Sequence, residues 1–561
     1  MIHPHTGGDL IPRSPLLFII RSAPTSAGLA HSLLFHKLSG EFFFFSLKFP
    51  FPDAIFLNCM QTSVTINQSR RNFMNVKFRI SCAAGLTALA ALFLSACCCG
   101  CITAGECTKT EAVPEQPVKK AEAPAEKAAA VKAEPAAPKQ ERPAYESYRL
   151  KVTPAEKKNI YKTGEKIRFN ITLLDKAKQP VSGQKIGYAV SSGDGKLQKN
   201  IITTTDGKPL VCEASLDKPG WIQVRAMLLD ENGKPLLKRK KVIMAGAGAM
   251  VEPEKIKAGC EEPADFRKFW DDQKAALAKV PVKAVKVEVP VKGKQAGKFK
   301  CYDVKVDCVD NVPVSGYLTI PAGAKPKSLP AVVSYHGAGV YTANKPMRDN
   351  AISFDVNAHG ILNGQPKEYY NNLKTNELRG YPHKNKNDRD KFYFKNMYLR
   401  VLRALDYVKT LPEWDGKNLI VIGSSQGGAQ AIVAAALDPQ VSLCLTGVPA
   451  LSDHCGNLAG RQSGWPRLFA VRDGKPADAK TAEVSKYYDN VNFAKYIKAP
   501  VYMTVGMIDL TCVPTSVYAV FNNLPAATEK HMTIFPTEGH VGKNPAGYNA
   551  MNKILRQAAK K

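Results

Sequence analysis

The run NLIVIGSSQGGAQAIVAAAL, residues 418–437, constrains this chain more than any other stretch. Leu419 to Ile422 form an unbroken apolar run, as in a strand buried on both faces, and the alanine-rich segment after Gly428 reads as a helix. Between them lies Gly423-Ser424-Ser425-Gln426-Gly427, a serine with glycine two residues before and two after. In a strand–turn–helix elbow this tight, a Cβ at Gly423 or Gly427 would strike neighbouring backbone. Such a turn lifts the Ser425 hydroxyl out of the sheet edge. It also aims the N–H groups at the helix start toward any negative charge developing there.

The surroundings agree with this reading. From Lys255 to the C-terminus, apolar runs at Ala331–Tyr335, Leu419–Ile422, Val441–Leu445, Val501–Val505 and Met532–Phe535 alternate with amphipathic segments. The clearest of those segments repeats Phe394, Met397, Tyr398, Val401, Leu402, Leu405 and Val408 at steps of three and four. This is the grammar of an α/β domain with a mostly parallel sheet covered on both faces.

A serine hydroxyl is a poor nucleophile without a base to take its proton, and the base needs an acid to fix its tautomer. Asp509, shortly after the fourth run, and His540, shortly after the fifth, supply both in the chain order that follows such an elbow. Asp438 and Asp453 follow the elbow too closely to compete. The oxyanion donors expected are the N–H groups of Gln426 and of Ala338, the latter after Tyr335-His336-Gly337, with His336 a prop for that loop. No HExxH, Walker or dinucleotide-binding motif occurs, so the chemistry is expected to need no metal and no organic cofactor.

Several blocks resemble the acetyl xylan esterase and cephalosporin C deacetylase family, the seventh carbohydrate esterase family. They are PADFRKFW, YFKNMYLRVLRALDYV, GSSQGG, VPALSDH, YYDNVNFA and VGMIDLTCVPTSVYAVFNNL, and they spread over residues 255–561. The resemblance implies an α/β-hydrolase that removes acetyl groups from carbohydrates such as acetylated xylan or xylo-oligosaccharides. It also implies Ser425, Asp509 and His540 as the catalytic triad and Ala338 and Gln426 as oxyanion donors. The family's ring-shaped hexamer makes a homo-oligomer one expectation. This chain departs from the family at Asn357-Ala358-His359, where an Arg-Gly-Gln is usual, at Ala338 in place of tyrosine, and at Val541 in place of glutamate. These departures bear on the shape of the acyl pocket and on the hexamer. Two rivals stand beside this reading: another serine hydrolase, either a peptidase or a general carboxylesterase, and an inactive lipid-anchored glycan-binding protein.

A chain of 561 residues exceeds one core, and its upstream part has different patterning. Residues 148–250 alternate with period two, as in Ile167, Phe169, Ile171, Leu173 and in Ile222, Val224, Ala226, Leu228. Turn dipeptides at Asp194-Gly195, Asp206-Gly207, Pro219-Gly220 and Asn232-Gly233 separate the runs, which predicts an immunoglobulin-like sandwich of about seven strands. Its expected role is that of a spacer or assembly domain, with Trp221 a core residue and glycan binding the sharper alternative. Residues 98–147 are rich in Ala, Pro, Glu and Lys and read as a disordered tether. Residues 74–97 carry Lys77 and Arg79, then the apolar run Ile80–Leu94, then Leu94-Ser95-Ala96-Cys97, the pattern of a bacterial lipoprotein signal with Cys97 as the lipidated residue. The expectation is an exported, membrane-anchored protein, with residues 1–73 an upstream extension and translation starting at Met60 or Met74. The net charge of +29 is spread along the chain without a nucleic-acid-binding motif, so nucleic acid is not expected as a partner.

Overall fold

The computed structural model describes residues 143–196, 198–540 and 545–558, together with five short strands nearer the N-terminus, Ile20–Ala23, His31–Leu38, Glu41–Lys48, Thr62–Gln68 and Met74–Ile80. Apart from those strands and a helical turn at Ala144–Ser147, the expected upstream extension, signal segment and tether lie outside the described residues, Cys97 included.

The alternating segment folds as two antiparallel layers. One sheet has the order Gln198–Asp206, Ser182–Ser192, Gly220–Leu228, Met244–Val251, Ile160–Tyr161, with the last short strand added in parallel. The other has the order Leu210–Ala214, Ile167–Leu174, Arg149–Pro154. Ile167, Phe169, Ile171 and Leu173 face Ile222, Val224, Ala226 and Leu228 in one buried cluster. Because successive side chains of a strand point to opposite faces, these positions are necessarily those two residues apart. One turn differs from expectation. Gly220 begins a strand in extended conformation, whereas Gly195, Gly207 and Gly233 take positive φ.

The remainder is built on a nine-stranded sheet. Its strands are β1 (Ala284–Glu288), β2 (Phe299–Val306), β3 (Val314–Pro321), β4 (Leu329–Tyr335), β5 (Ile352–Val356), β6 (Trp414–Ser424), β7 (Leu443–Gly447), β8 (Val501–Gly506) and β9 (Lys530–Phe535). Their order across the sheet is β1-β2-β3-β5-β4-β6-β7-β8-β9. From β5 to β9 all neighbours are parallel; the first three strands join antiparallel. This is an α/β-hydrolase sheet. The reversal between β3, β5 and β4 makes a crossover beside β6, and ligands of open α/β sheets bind outside the carboxyl ends of strands at such places. Strands β1 to β3 and β5 are not among the apolar runs of the sequence: β1 is an exposed edge throughout, β2 carries lysines between its buried positions, and buried polar residues, Ser315 and Thr319 in β3 and Ser353 and Asp355 in β5, interrupt the other two.

Helices pack on both faces: α1 (Phe266–Ala278), α2 (Lys367–Thr375), α3 (Tyr393–Lys409), α4 (Gln426–Leu437), α5 (Ala479–Lys486), α6 (Asn490–Ala494), α7 (Pro514–Asn522) and α8 (Pro545–Ala558). Helix α3 buries its whole predicted stripe, Phe394 to Val408, and also Arg400 and Arg403. Those two cations survive burial by donating to backbone carbonyls, Arg400 to Ala358 and Arg403 to Leu277 and Val280. Helix α4 is buried on every side, which its small side chains permit. No helix among the described residues is long and apolar enough to cross a membrane. A Cys301–Cys308 pairing, which the sequence leaves open, does not occur: both thiols are free and buried, and among the described residues a disulfide joins Cys260 to Cys455.

Candidate active site

Strand β6 runs straight into the elbow. Ser425 sits at φ 58°, ψ −125°, a conformation that a residue with a side chain adopts at a cost of about 1–3 kcal/mol. The turn is held from three directions. The Ser425 N–H donates to the Gly447 carbonyl at 2.9 Å, and its own carbonyl accepts from Ala429 and Ala450, each at 3.0 Å. A Cβ on Gly423 would lie 2.2 Å from the Gly427 oxygen, and one on Gly427 would lie 2.0 Å from the Tyr335 oxygen. Both obstacles are backbone and cannot swing aside. Gly427→Ala is therefore expected to lose at least about 3 kcal/mol of stability or to fail to accumulate as folded protein, measured by denaturant midpoint. A variant of native stability would contradict the packing described.

The structure brings Ser425, His540 and Asp509 into one hydrogen-bonded chain. The Ser425 hydroxyl lies 2.9 Å from His540 Nε2, and His540 Nδ1 lies 2.8 Å from Asp509 Oδ2. With the carboxylate as its partner, Nδ1 carries the proton and Nε2 is left to accept from serine. Asp509 is fully buried, and its second oxygen accepts the N–H groups of Thr511 at 2.7 Å and Cys512 at 3.0 Å. The acid and base loops are also tied to each other: Met507 N–H donates to Phe535 O, and Ile508 N–H to Glu538 O, both at 3.0 Å. The competing carboxylates are engaged elsewhere, Asp438 with Lys409 and Asp453 with Arg461.

Gln426 follows Ser425 in the chain, and Ala338 lines the same cavity as Ser425. Gln426 is the first residue of α4, so its N–H has no partner one helical turn earlier. The Gln426 side chain is held by the Tyr381 hydroxyl, which donates to Oε1 at 2.6 Å. Ala338 is exposed on the loop after β4, whose bracing comes from the segment where the sequence departs from the family it resembles. Asn357 donates to the Tyr341 carbonyl at 3.0 Å, and His359 Nε2 lies 3.0 Å from the Gly339 carbonyl, while its Nδ1 meets the Tyr393 hydroxyl at 2.7 Å. Burial pushes His359 down to about 3, so it is a neutral ring donating from Nε2 and accepting at Nδ1. Two neutral side chains thus brace the loop where an arginine is usual. The role expected of His336 fits its place, since it is buried, lies 3.4 Å from the Ala358 N–H, and packs against Tyr341 with ring centroids 4.6 Å apart.

The Ser425 hydroxyl opens into a cavity of about 890 Å³, also lined by Ala338, Tyr341, Arg348, Trp465 and His540. Trp465 and Tyr341 carry no motif that would single them out in the sequence; only folding brings them to this rim. Asp509, Cys512 and His540 offer donor atoms within 4.8 Å of one another. Burial pushes the Cys512 thiol well above its ordinary value, which keeps it in the uncharged form that metals bind weakly. The carboxylate and ring are already committed to each other, so these residues fit a proton-handling chain better than a metal centre.

Comparison with known proteins gives a consistent set of relatives. The model of the acetyl xylan esterase (AXE1) family matches residues 250–557. Acetyl esterase Axe7A of Xylanibacter ruminicola is 32% identical over 364 residues, which is 64% of this chain and 79% of that protein. Among solved structures, the acetyl xylan esterase from Paenibacillus sp. R4 is 27% identical, covers 55% of this chain and 98% of its own, and superposes with a TM-score of 0.46. Acetyl xylan esterase 1 from Thermoanaerobacterium sp. JW/SL YS485 is 23% identical over 54% of this chain and 97% of its own, at a TM-score of 0.43. With more than half its length matched by one family, this chain belongs to the acetyl xylan esterases and is a carboxylic ester hydrolase.

Proposed function

We propose that the protein removes acetyl groups from xylan or xylo-oligosaccharides through an acyl-enzyme on Ser425. The observation that carries this reading is the unbroken chain from Ser425 Oγ through His540 to the buried Asp509, with Ser425 and His540 lining the cavity. Ser425 Oγ attacks the ester carbonyl as His540 Nε2 takes its proton, and the oxyanion is met by the N–H groups of Gln426 and Ala338. His540 returns that proton to the departing sugar oxygen. A water then gives a proton to His540, attacks the acyl-serine, and releases acetate as Oγ is reprotonated. Each step is a proton relay with acyl transfer and uses only this chain's groups and water.

Incubation with acetylated xylo-oligosaccharides and assay of free acetate tests the reading. Release at a rate no greater than that of a Ser425→Ala control would sink it. Trp465 lines the cavity and is half-buried, which leaves part of its indole open to a sugar ring. Trp465→Ala is expected to raise KM for the oligosaccharide by about tenfold while leaving a small acetate ester little affected, a loss in keeping with burial of part of one aromatic face. An equal effect on both substrates would assign Trp465 to the acyl pocket instead.

We also infer export and lipid attachment at Cys97. The lipobox supports this, and a disulfide between Cys260 and Cys455 fits an oxidising compartment. Mass spectrometry of the mature N-terminus tests it; peptides spanning residues 60–97 in the membrane-associated protein would refute cleavage.

A further inference from the structure

Two strands of the sandwich present different chemistry on their two faces. Along Gly220–Leu228, the even-numbered residues Ile222, Val224, Ala226 and Leu228 enter the sandwich core, and from the neighbouring strand Met244–Val251 so do Ala247 and Ala249. Trp221 and Met250, paired across the same two strands, belong instead to the core of the hydrolase. The second face therefore lies against the catalytic domain, and its residues are Trp221, Gln223 and Arg225 opposite Met250, Gly248 and Gly246.

What this face touches is the loop that carries the triad acid. Trp221 Nε1 donates to the Met507 carbonyl at 2.7 Å. The Arg225 guanidinium donates to the Ile508 carbonyl, and Gln223 holds that guanidinium by accepting from Nε at 2.8 Å. Met507 and Ile508 are the two residues immediately before Asp509. From the second strand, the Gly248 N–H donates to the Pro536 carbonyl at 2.8 Å, at the start of the loop that ends in His540. The approach is so close that a Cβ on Gly248 would lie 2.6 Å from the Met507 oxygen. Burial lowers the Arg225 guanidinium from its ordinary value and the Asp509 charge works against that, so the two charges sense each other across the interface.

We propose that the sandwich is a working part of the esterase, and that Trp221 and Arg225 are positioning residues that fix Asp509, and through it His540, by clasping the carbonyls of Met507 and Ile508. The proposal rests on the triad reading given above. A base held in place by a carboxylate acts in the chemical step, so loosening the carboxylate affects turnover rather than substrate affinity.

The test uses the full chain and p-nitrophenyl acetate, a substrate too small to reach the sandwich. Trp221→Phe keeps the ring and removes the donor; Arg225→Met keeps the length and removes donor and charge. Arg225→Met is expected to lower kcat by about tenfold or more, as small misplacements of a catalytic group do, with KM within about twofold and a smaller drop for Trp221→Phe. Arg225→Lys, which restores a cationic donor, is expected to recover part of the loss. Unchanged kcat in both removal variants beside an inactive Ser425→Ala would overturn the proposal and leave the triad standing. A rise in KM at constant kcat would overturn it too. Activity retained by Ser425→Ala would overturn both the proposal and the triad reading beneath it.

Discussion

Replacing Ser425 by alanine is expected to lower kcat on a small acetate ester by about 10⁴-fold or more, a loss of roughly 5 kcal/mol in the chemical step. The hydroxyl is the group that His540 Nε2 faces at 2.9 Å, and it stands on a backbone bent for that purpose. Cys512 approaches the same centre, but burial keeps its thiol protonated and so without nucleophilic strength. The alanine side chain fits the elbow without new contacts, so the fold and KM should survive. Labelling by a serine-reactive phosphonate should disappear with the activity. If turnover fell by less than tenfold, the acyl-enzyme would have to form elsewhere.

Asp509→Asn is expected to cost about 10⁴-fold in kcat near neutral pH, for a reason specific to the hydrogen bonds in this site. Oδ1 of Asp509 accepts two backbone N–H groups, those of Thr511 and Cys512. An asparagine must keep its oxygen there, because its NH₂ would meet two donors. The amide NH₂ then faces His540 Nδ1, which has to become an acceptor. The proton moves to Nε2, and the imidazole can no longer take one from Ser425. Steady-state kinetics with a thermal-stability control check this. An Asp509→Asn enzyme within tenfold of the wild type would show that the carboxylate does not set the tautomer.

The elbow was readable in the chain because its constraint is local: a strand, a turn too tight for a Cβ, and a helix follow within twenty residues. Asp509 and His540 were readable by order alone, each falling just after a strand of the parallel sheet. What brings Asn357 and His359 under the Ala338 loop is convergence of β5 and β4 in space, which no spacing announces; a motif comparison registers only that an arginine is missing. The sandwich shows the same limit. Period-two alternation identified the face with Ile222 and Val224, but Gln223 and Arg225 on the other face look like solvent-facing residues. Trp221, read as sandwich core, is buried on the opposite side of its strand, against the hydrolase. The Cys260–Cys455 pairing spans a sequence separation of 195, beyond any local pattern.

That cross-link closes most of the catalytic domain into one ring. In the chain-entropy picture, closing a loop of 195 residues removes about 5 kcal/mol worth of freedom from the unfolded chain. Neither cysteine is in the triad or lines the cavity into which Ser425 opens. Reductant should therefore leave a fresh sample catalysing at full speed yet shorten its working life under heat or protease, so that enzyme made in a glutathione-rich cytoplasm would give the right initial rate and spoil sooner.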